Sequence, residues 1–167
     1  RATASSSASP VCRTNGTSLT SVPTDWEKQH MTSQKTIYCC GCEADVTARL
    51  SNGKEAYPHR SDLYSLPFWF CDGCGNFVGC HHKTSNPTRP LGVIPTKEIK
   101  RARQLLHRVI DPIWKSGATS RKKVYAEMTK ALGYEYHTAE VRSVADALKA
   151  VDAAEKLADR LGEVAHD

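Results

Sequence analysis

Two Cys-x-x-Cys pairs, Cys39 with Cys42 and Cys71 with Cys74, stand 28 residues apart. Two residues between cysteines let both thiolates reach one ion from a tight turn, and four thiolates close a tetrahedron around zinc at about 2.3 Å from each sulfur. A small fold with little core gains much of its stability from such an ion. Gly41, Gly73 and Gly75 suit turns where backbone amides approach the sulfurs and stabilise their charge. The pattern predicts one structural Zn2+ held by Cys39, Cys42, Cys71 and Cys74. Four cysteines close the coordination sphere, whereas a catalytic zinc keeps an open position and usually includes a His or a carboxylate.

Other ligands compete less well. Using Cys40 in place of Cys39 would leave Cys40-x-Cys42, a poorer chelate. The run Cys80-His81-His82 offers a further ligand or a second ion; the blander reading has Cys80 as a small buried hydrophobe and the histidines as strand-end or surface groups. His59 is a more distant candidate. Seven cysteines read as a disulfide framework would leave one over, so metal knuckles fit the spacing better and imply a reducing compartment, the cytoplasm. No apolar run is long enough to span a bilayer, and no signal peptide is visible.

Residues 1–30 are rich in Ser, Thr, Ala and Pro with no apolar period, so a disordered leader or tag is expected over residues 1–34, carrying Cys12 with it. Met31 reads as a natural start. Residues 35–94 are expected to form a four-Cys zinc ribbon of short antiparallel hairpins. Thr36–Tyr38, Val46–Leu50, Lys54–Tyr57, Phe68–Phe70 and Asn76–Gly79 are its strands, and Asn52-Gly53 is a hairpin-turn signal. Residues 95–167 turn helical, which makes the fold class α+β with about three helices after the ribbon. The first runs from a Thr96 cap to Val109 or Ile110, with Ile99, Leu105, Leu106 and Val109 on or near one face, and is interrupted at Asp111-Pro112. The second covers Ser120–Leu132 and ends at Gly133, with Val124, Met128 and Leu132 on one face. The third runs from Ala139 or Ser143 to Leu161, with a stripe of Val144, Leu148, Val151, Leu157 and Leu161 supplemented by alanines.

These motifs carry a resemblance. Tyr38-Cys39-Cys40-Gly41-Cys42, Tyr57-Pro58-His59-Arg60 with Asp62-Leu63, Phe68-Trp69-Phe70-Cys71-Asp72-Gly73-Cys74, Val78-Gly79-Cys80-His81, Pro90-Leu91-Gly92 and Asp111-Pro112-Ile113-Trp114, with Arg121 and Tyr125, together resemble the zinc-finger-containing domain proteins of phages and prophages. The resemblance covers roughly residues 37–135. It implies metal cysteines at Cys39, Cys42, Cys71 and Cys74 and a bacterial or phage cytoplasmic setting, and it carries no activity.

Charge is concentrated. Residues 83–130 hold twelve basic and three acidic side chains, while residues 131–167 hold four and eight. Lys97, Lys100, Arg101, Arg103 and Arg108 crowd the first helix, and Arg121, Lys122 and Lys123 open the second, at the end where the helix dipole disfavours cations. Such a face attracts phosphates, so the leading expectation is an accessory protein that binds DNA or RNA through it. The acidic third helix folding back to pair with these cations would be the opposing reading. A module that binds a host or phage protein is the first alternative. A metal-dependent nuclease is the second, drawing on Arg103, His107 and Asp111 at i, i+4 and i+8. Tyr57, His59, Trp69 and Trp114 are candidates for base stacking, although ribbon packing suits Trp69 and Trp114 better.

Overall fold

A computed structural model describes residues 33–117 and 119–163. Residues 1–32, on which the leader, Met31 and Cys12 fall, lie outside the described residues. Four strands form one antiparallel sheet in the order β1–β2–β3–β4: β1 Gln34–Cys39, β2 Ala44–Asn52, β3 Pro67–Phe70 and β4 Phe77–Gly79. The register pairs Ile37 with Val46, Leu50 with Trp69, and Trp69 with Val78. Alternation along these strands turns Ile37, Cys39, Ala48, Leu50, Trp69, Cys71 and Val78 into one buried cluster, joined by Cys80 and Ile94. β1 starts at Gln34, inside the stretch expected to belong to the leader.

The β2–β3 connection departs from the expected hairpin. Asn52 does not make a two-residue turn; its side chain caps a helical turn, Gly53–Ala56, by accepting from the Lys54 and Glu55 amides at 3.1 and 3.4 Å. Lys54–Tyr57 is therefore not a strand. A Cβ on Gly53 would lie 1.7 Å from the Leu63 carbonyl oxygen, so glycine is required by close packing of the loop rather than by a left-handed turn. Arg49 anchors this corner, reaching Glu55 at 2.8 Å and Asp72 at 3.0 Å, and Ser51 donates to Glu55.

Three helices follow: α1 Lys97–Lys115, α2 Arg121–Leu132 and α3 Val144–Glu163. Thr96 caps α1 through the Ile99 amide at 3.3 Å. The helix does not stop at Asp111-Pro112. It continues through Pro112, and the Ser116 amide donates to the Pro112 carbonyl at 3.0 Å. Burial of Ile113 beyond the proline, together with the Asp111–Lys115 ion pair at 2.8 Å, holds the last turn in place. Gly133, at φ +76°, ends α2 as expected.

Leu106, Ile110, Ile113, Val124, Met128, Tyr136, Val141 and a row of alanines from α3 make the helical core. The expected apolar stripe of α3 holds at Val151, Leu157 and Leu161 but not at Val144 and Leu148. Ala147, Ala150, Ala153, Ala154 and Leu157 are buried, whereas Val144 and Leu148 are 40% and 53% exposed. Small side chains let α3 approach α1 closely, and that contact selects the alanine face over the bulkier one. On α1, Leu105 is likewise exposed, while Ile99, Leu106, Ile110 and Ile113 point inward.

The ribbon and the helices are joined through residues 93–94. Ile94 lies beside β1, donating to the Tyr38 carbonyl and accepting from the Cys40 amide, each at 2.8 Å. Val93 and Ile99 bury Cys40 between them. Leu106 is fully buried at the centre of the helical core. Leu106→Ala is expected to destabilise the fold by roughly 2–5 kcal/mol in denaturant unfolding, as large-to-small changes at closed sites do.

Candidate metal centre and the flanking basic face

In a four-stranded meander the β1–β2 and β3–β4 turns emerge at the same end of the sheet. Cys39 closes β1 and Cys42 sits in the turn behind it; Cys71 follows β3 and Cys74 sits in the second turn. The four Sγ atoms lie within 4.8 Å of one another. Cys39 meets Cys74 at 3.4 Å and Cys42 meets Cys71 at 3.6 Å, so the shortest contacts cross between the knuckles. A zinc tetrahedron with bonds of about 2.3 Å has edges of roughly 3.8 Å, which these separations approach. The donor set and its spacing therefore fit a tetrahedral ion.

The two knuckles share a backbone device. The residue after the second cysteine is left-handed in each, Glu43 at φ +54° and Gly75 at φ +71°. Gly41 allows the knuckles to meet, because a Cβ there would lie 2.5 Å from Asn76 Nδ2 and 3.2 Å from the Cys74 sulfur. Asn76 in turn donates its side-chain amide to Cys74 Sγ at 3.1 Å. Burial pushes the Cys39 thiol up to about 11, helped by the Cys74 thiol, and burial with the Cys71 and Cys74 thiols pushes Cys42 further in the same direction. Burial works against ionisation of Cys74 too, but the Asn76 backbone amide and neighbouring thiols outweigh it and lower its pKa. Crowded thiolates need a cation among them.

No other group of His, Cys, Asp or Glu among the described residues gathers in metal-binding geometry. Cys40 is buried against Val93 and Ile99, outside the cluster. Cys80 packs in the ribbon core, its thiol pushed up to about 12 by burial. His82 turns its Nδ1 towards the Cys80 carbonyl at 3.4 Å, and His59 is exposed beside Tyr57.

The basic residues predicted from sequence divide into two sets. Lys97, Arg101, Arg108, Lys122 and Lys123 are exposed, with no ion-pair partner among the described residues. Lys100 and Arg103 are half-buried and engaged. The Lys100 ammonium stands 3.4 Å from the Phe77 ring centroid; burial, then Arg103 and Lys97, push its pKa down to about 8, against the ring that favours the cation. Arg103 donates through Nη2 to the Val141 carbonyl at 2.7 Å and makes a longer 3.5 Å contact to the Val93 carbonyl, tying α1 to both sides of the molecule. Arg121 is intermediate between the sets, exposed yet lying over the rings of Trp114 and Tyr125 at 5.6 and 5.3 Å. His107 bonds Asp111 at 3.2 Å, and Asp111 also holds Lys115. Trp69 is buried and donates to the Thr88 carbonyl at 2.7 Å, and Trp114 packs against the helical core.

Sequence reasoning missed a cleft of about 770 Å3 between ribbon and helices. Tyr57, Phe68 and Phe77 line it together with Lys100, Arg103, Arg121 and Lys122. Its members come from distant segments, so only their shared chemistry, aromatic and basic, was visible beforehand.

The chain belongs to the zinc-finger-containing domain family, whose model matches residues 34–151. Comparison with curated proteins and with solved structures returned no match. Cys74→Ser is expected to lower metal affinity at least about tenfold, while Cys40→Ser and Cys80→Ser leave the stoichiometry unchanged, as read by metal titration. Because the ion displaces thiol protons, affinity should fall as pH falls, and acid should release the metal before it unfolds the helices.

Proposed function

We propose that this zinc-finger-containing domain holds one structural Zn2+ in its four-thiolate centre and binds DNA or RNA through the basic face of α1 and α2. The donor set supports zinc: four sulfurs close a tetrahedral sphere, which suits a structural ion. With no open position, the ion's role is to fix the two hairpin turns relative to each other. A four-thiolate centre also needs a reducing compartment, which supports a cytoplasmic setting.

One observation carries the nucleic-acid reading: Lys97, Arg101, Arg108, Lys122 and Lys123 make no ion pair among the described residues, although Glu98 lies near enough to Arg101 and Lys97, and Glu127 to Lys123, to feel their charge. The carboxylates of α3 were the natural counter-charge. Asp146 instead lies near Lys149 at 4.0 Å, and Asp152 binds Lys156 at 2.7 Å, both within α3 itself. Glu127 binds Lys130 within α2. Among the described residues no ion pair joins α3 to α1 or α2. Lys97, Arg101 and Arg108 along α1, with Lys122 and Lys123 at the start of α2, therefore keep their charge for an outside partner. The first turn of α2 contains no acidic residue, so three cations stand where the helix dipole is already positive. That placement costs stability in the isolated chain and is offset when an anion docks.

Anisotropy titrations with labelled DNA and RNA across a salt series test this reading. Binding should weaken steeply with salt, each phosphate contact contributing about −0.9 to the log–log slope on duplex DNA. Arg101→Ala and Arg108→Ala should each reduce that slope by about one and weaken all sequences similarly. A flat salt response, or no binding at low salt, would overturn the reading and favour an acidic protein partner.

A further inference from the structure

The cleft between ribbon and helices has a composition that core packing does not explain. Lys100, Arg103, Arg121 and Lys122 line it together with His81, His107 and His137, and no carboxylate does. Lys100 has an aromatic ring as its partner, and Arg103 has backbone carbonyls. Sinking two cations into a half-buried wall with no carboxylate in contact is unfavourable, although Glu140 lies near enough to Arg103 to feel its charge, and low-dielectric walls focus the resulting field into the cleft. Burial, then Arg103 and Lys97, lower the Lys100 pKa.

The lining also has an apolar part. Tyr57, Phe68 and Phe77 meet edge to face, with centroids 5.3–5.8 Å apart, and Leu91 lines the cleft with them. The cleft thus presents an aromatic cluster beside a group of cations, with Lys100 seated on the Phe77 ring where the two meet. At about 770 Å3 it falls in the range of roughly 300–1,000 Å3 typical of small-molecule sites. Lys97 and Arg101 flank Lys100 on α1, and Lys123 follows Lys122 on α2, so the exposed cations and those of the cleft share the same two helices.

We infer that the cleft holds one unpaired nucleotide of a single-stranded segment, its base against Tyr57 and the edge of Phe68 and its phosphate among Lys100, Arg103, Arg121 and Lys122. This rests on the nucleic-acid reading above and narrows it. A base can enter only when it is not stacked inside a duplex, whereas the exposed face alone would grip either form. Stacking on protein aromatics is tolerant of sequence, so a preference for single strands without strong sequence selectivity follows.

The test compares a labelled single-stranded oligonucleotide with its duplex, using the full chain in its metal-bound form. Single strands should bind about tenfold or more tightly. Tyr57→Leu, which removes the ring but keeps an apolar side chain, and Lys100→Met, which keeps the stem, should each weaken single-strand binding about tenfold while leaving duplex binding within about twofold. Lys123→Ala, outside the cleft, should weaken both alike. Unlabelled adenosine monophosphate should compete for the single strand, and adenosine or inorganic phosphate at equal concentration should not. Thermal melts of each variant check that the fold persists. Equal binding of the two forms, with cleft variants indistinguishable from Lys123→Ala, would overturn the cleft assignment and leave the basic face standing. Competition by phenyl phosphate as strong as by adenosine monophosphate would overturn the nucleotide in favour of a phosphorylated aromatic side chain. Absence of binding to either form would overturn both readings together.

Discussion

Four sulfur atoms drawn from two hairpin turns cannot share a space of this size as thiolates unless a cation sits among them. Cys39, Cys42, Cys71 and Cys74 lie within 4.8 Å of one another. As protonated thiols they would offer only weak contacts across the gap. As thiolates around an ion they pull the β1–β2 and β3–β4 turns together and fix the twist of a sheet whose fourth strand has three residues. The buried cluster of the ribbon includes two of the ligands, Cys39 and Cys71, so packing and ligation share the same atoms.

The helices depend on that fixed end. Ile94 pairs with β1 immediately beside Cys39, and Cys40 is sealed by Val93 and Ile99. Arg103 then spans from Val93 to Val141, and Lys100 caps the Phe77 ring of β4. Loosening the knuckles would move β1, β4 and the base of α1 together. The cleft lies at this seam, with aromatic residues supplied by the ribbon and cations by α1 and α2, so its shape follows from where the ribbon holds its rings.

Much of this was readable in advance wherever a local rule dominated. The cysteine spacing marked both knuckles, Thr96 and Ser120 marked two helix starts, and Gly133 marked a helix end. Failures came where long-range packing overrode a local signal. Asn52-Gly53 carries turn chemistry, but Leu63 folds back over Gly53 and Asn52 becomes a cap. Pro112 should end a helix, yet Ile113 finds a buried place in the next turn. Of the expected α3 stripe, Leu157 is buried and Val151 and Leu161 pack on the core, whereas close approach to α1 selects alanines over Val144 and Leu148. Within the basic segment, charge was legible and exposure was not: Lys100 and Arg103 proved to be engaged with the fold, while Lys97, Arg101 and Arg108 remain open.

Elemental analysis of the purified, untagged chain after exhaustive dialysis, combined with native mass spectrometry, addresses the four-thiolate staple most directly. One zinc per chain is predicted, with chelation releasing it and collapsing the dispersion of the ribbon's amide resonances. Less than about half an equivalent of zinc, or a ribbon that keeps its structure after the metal has been removed, would contradict the account.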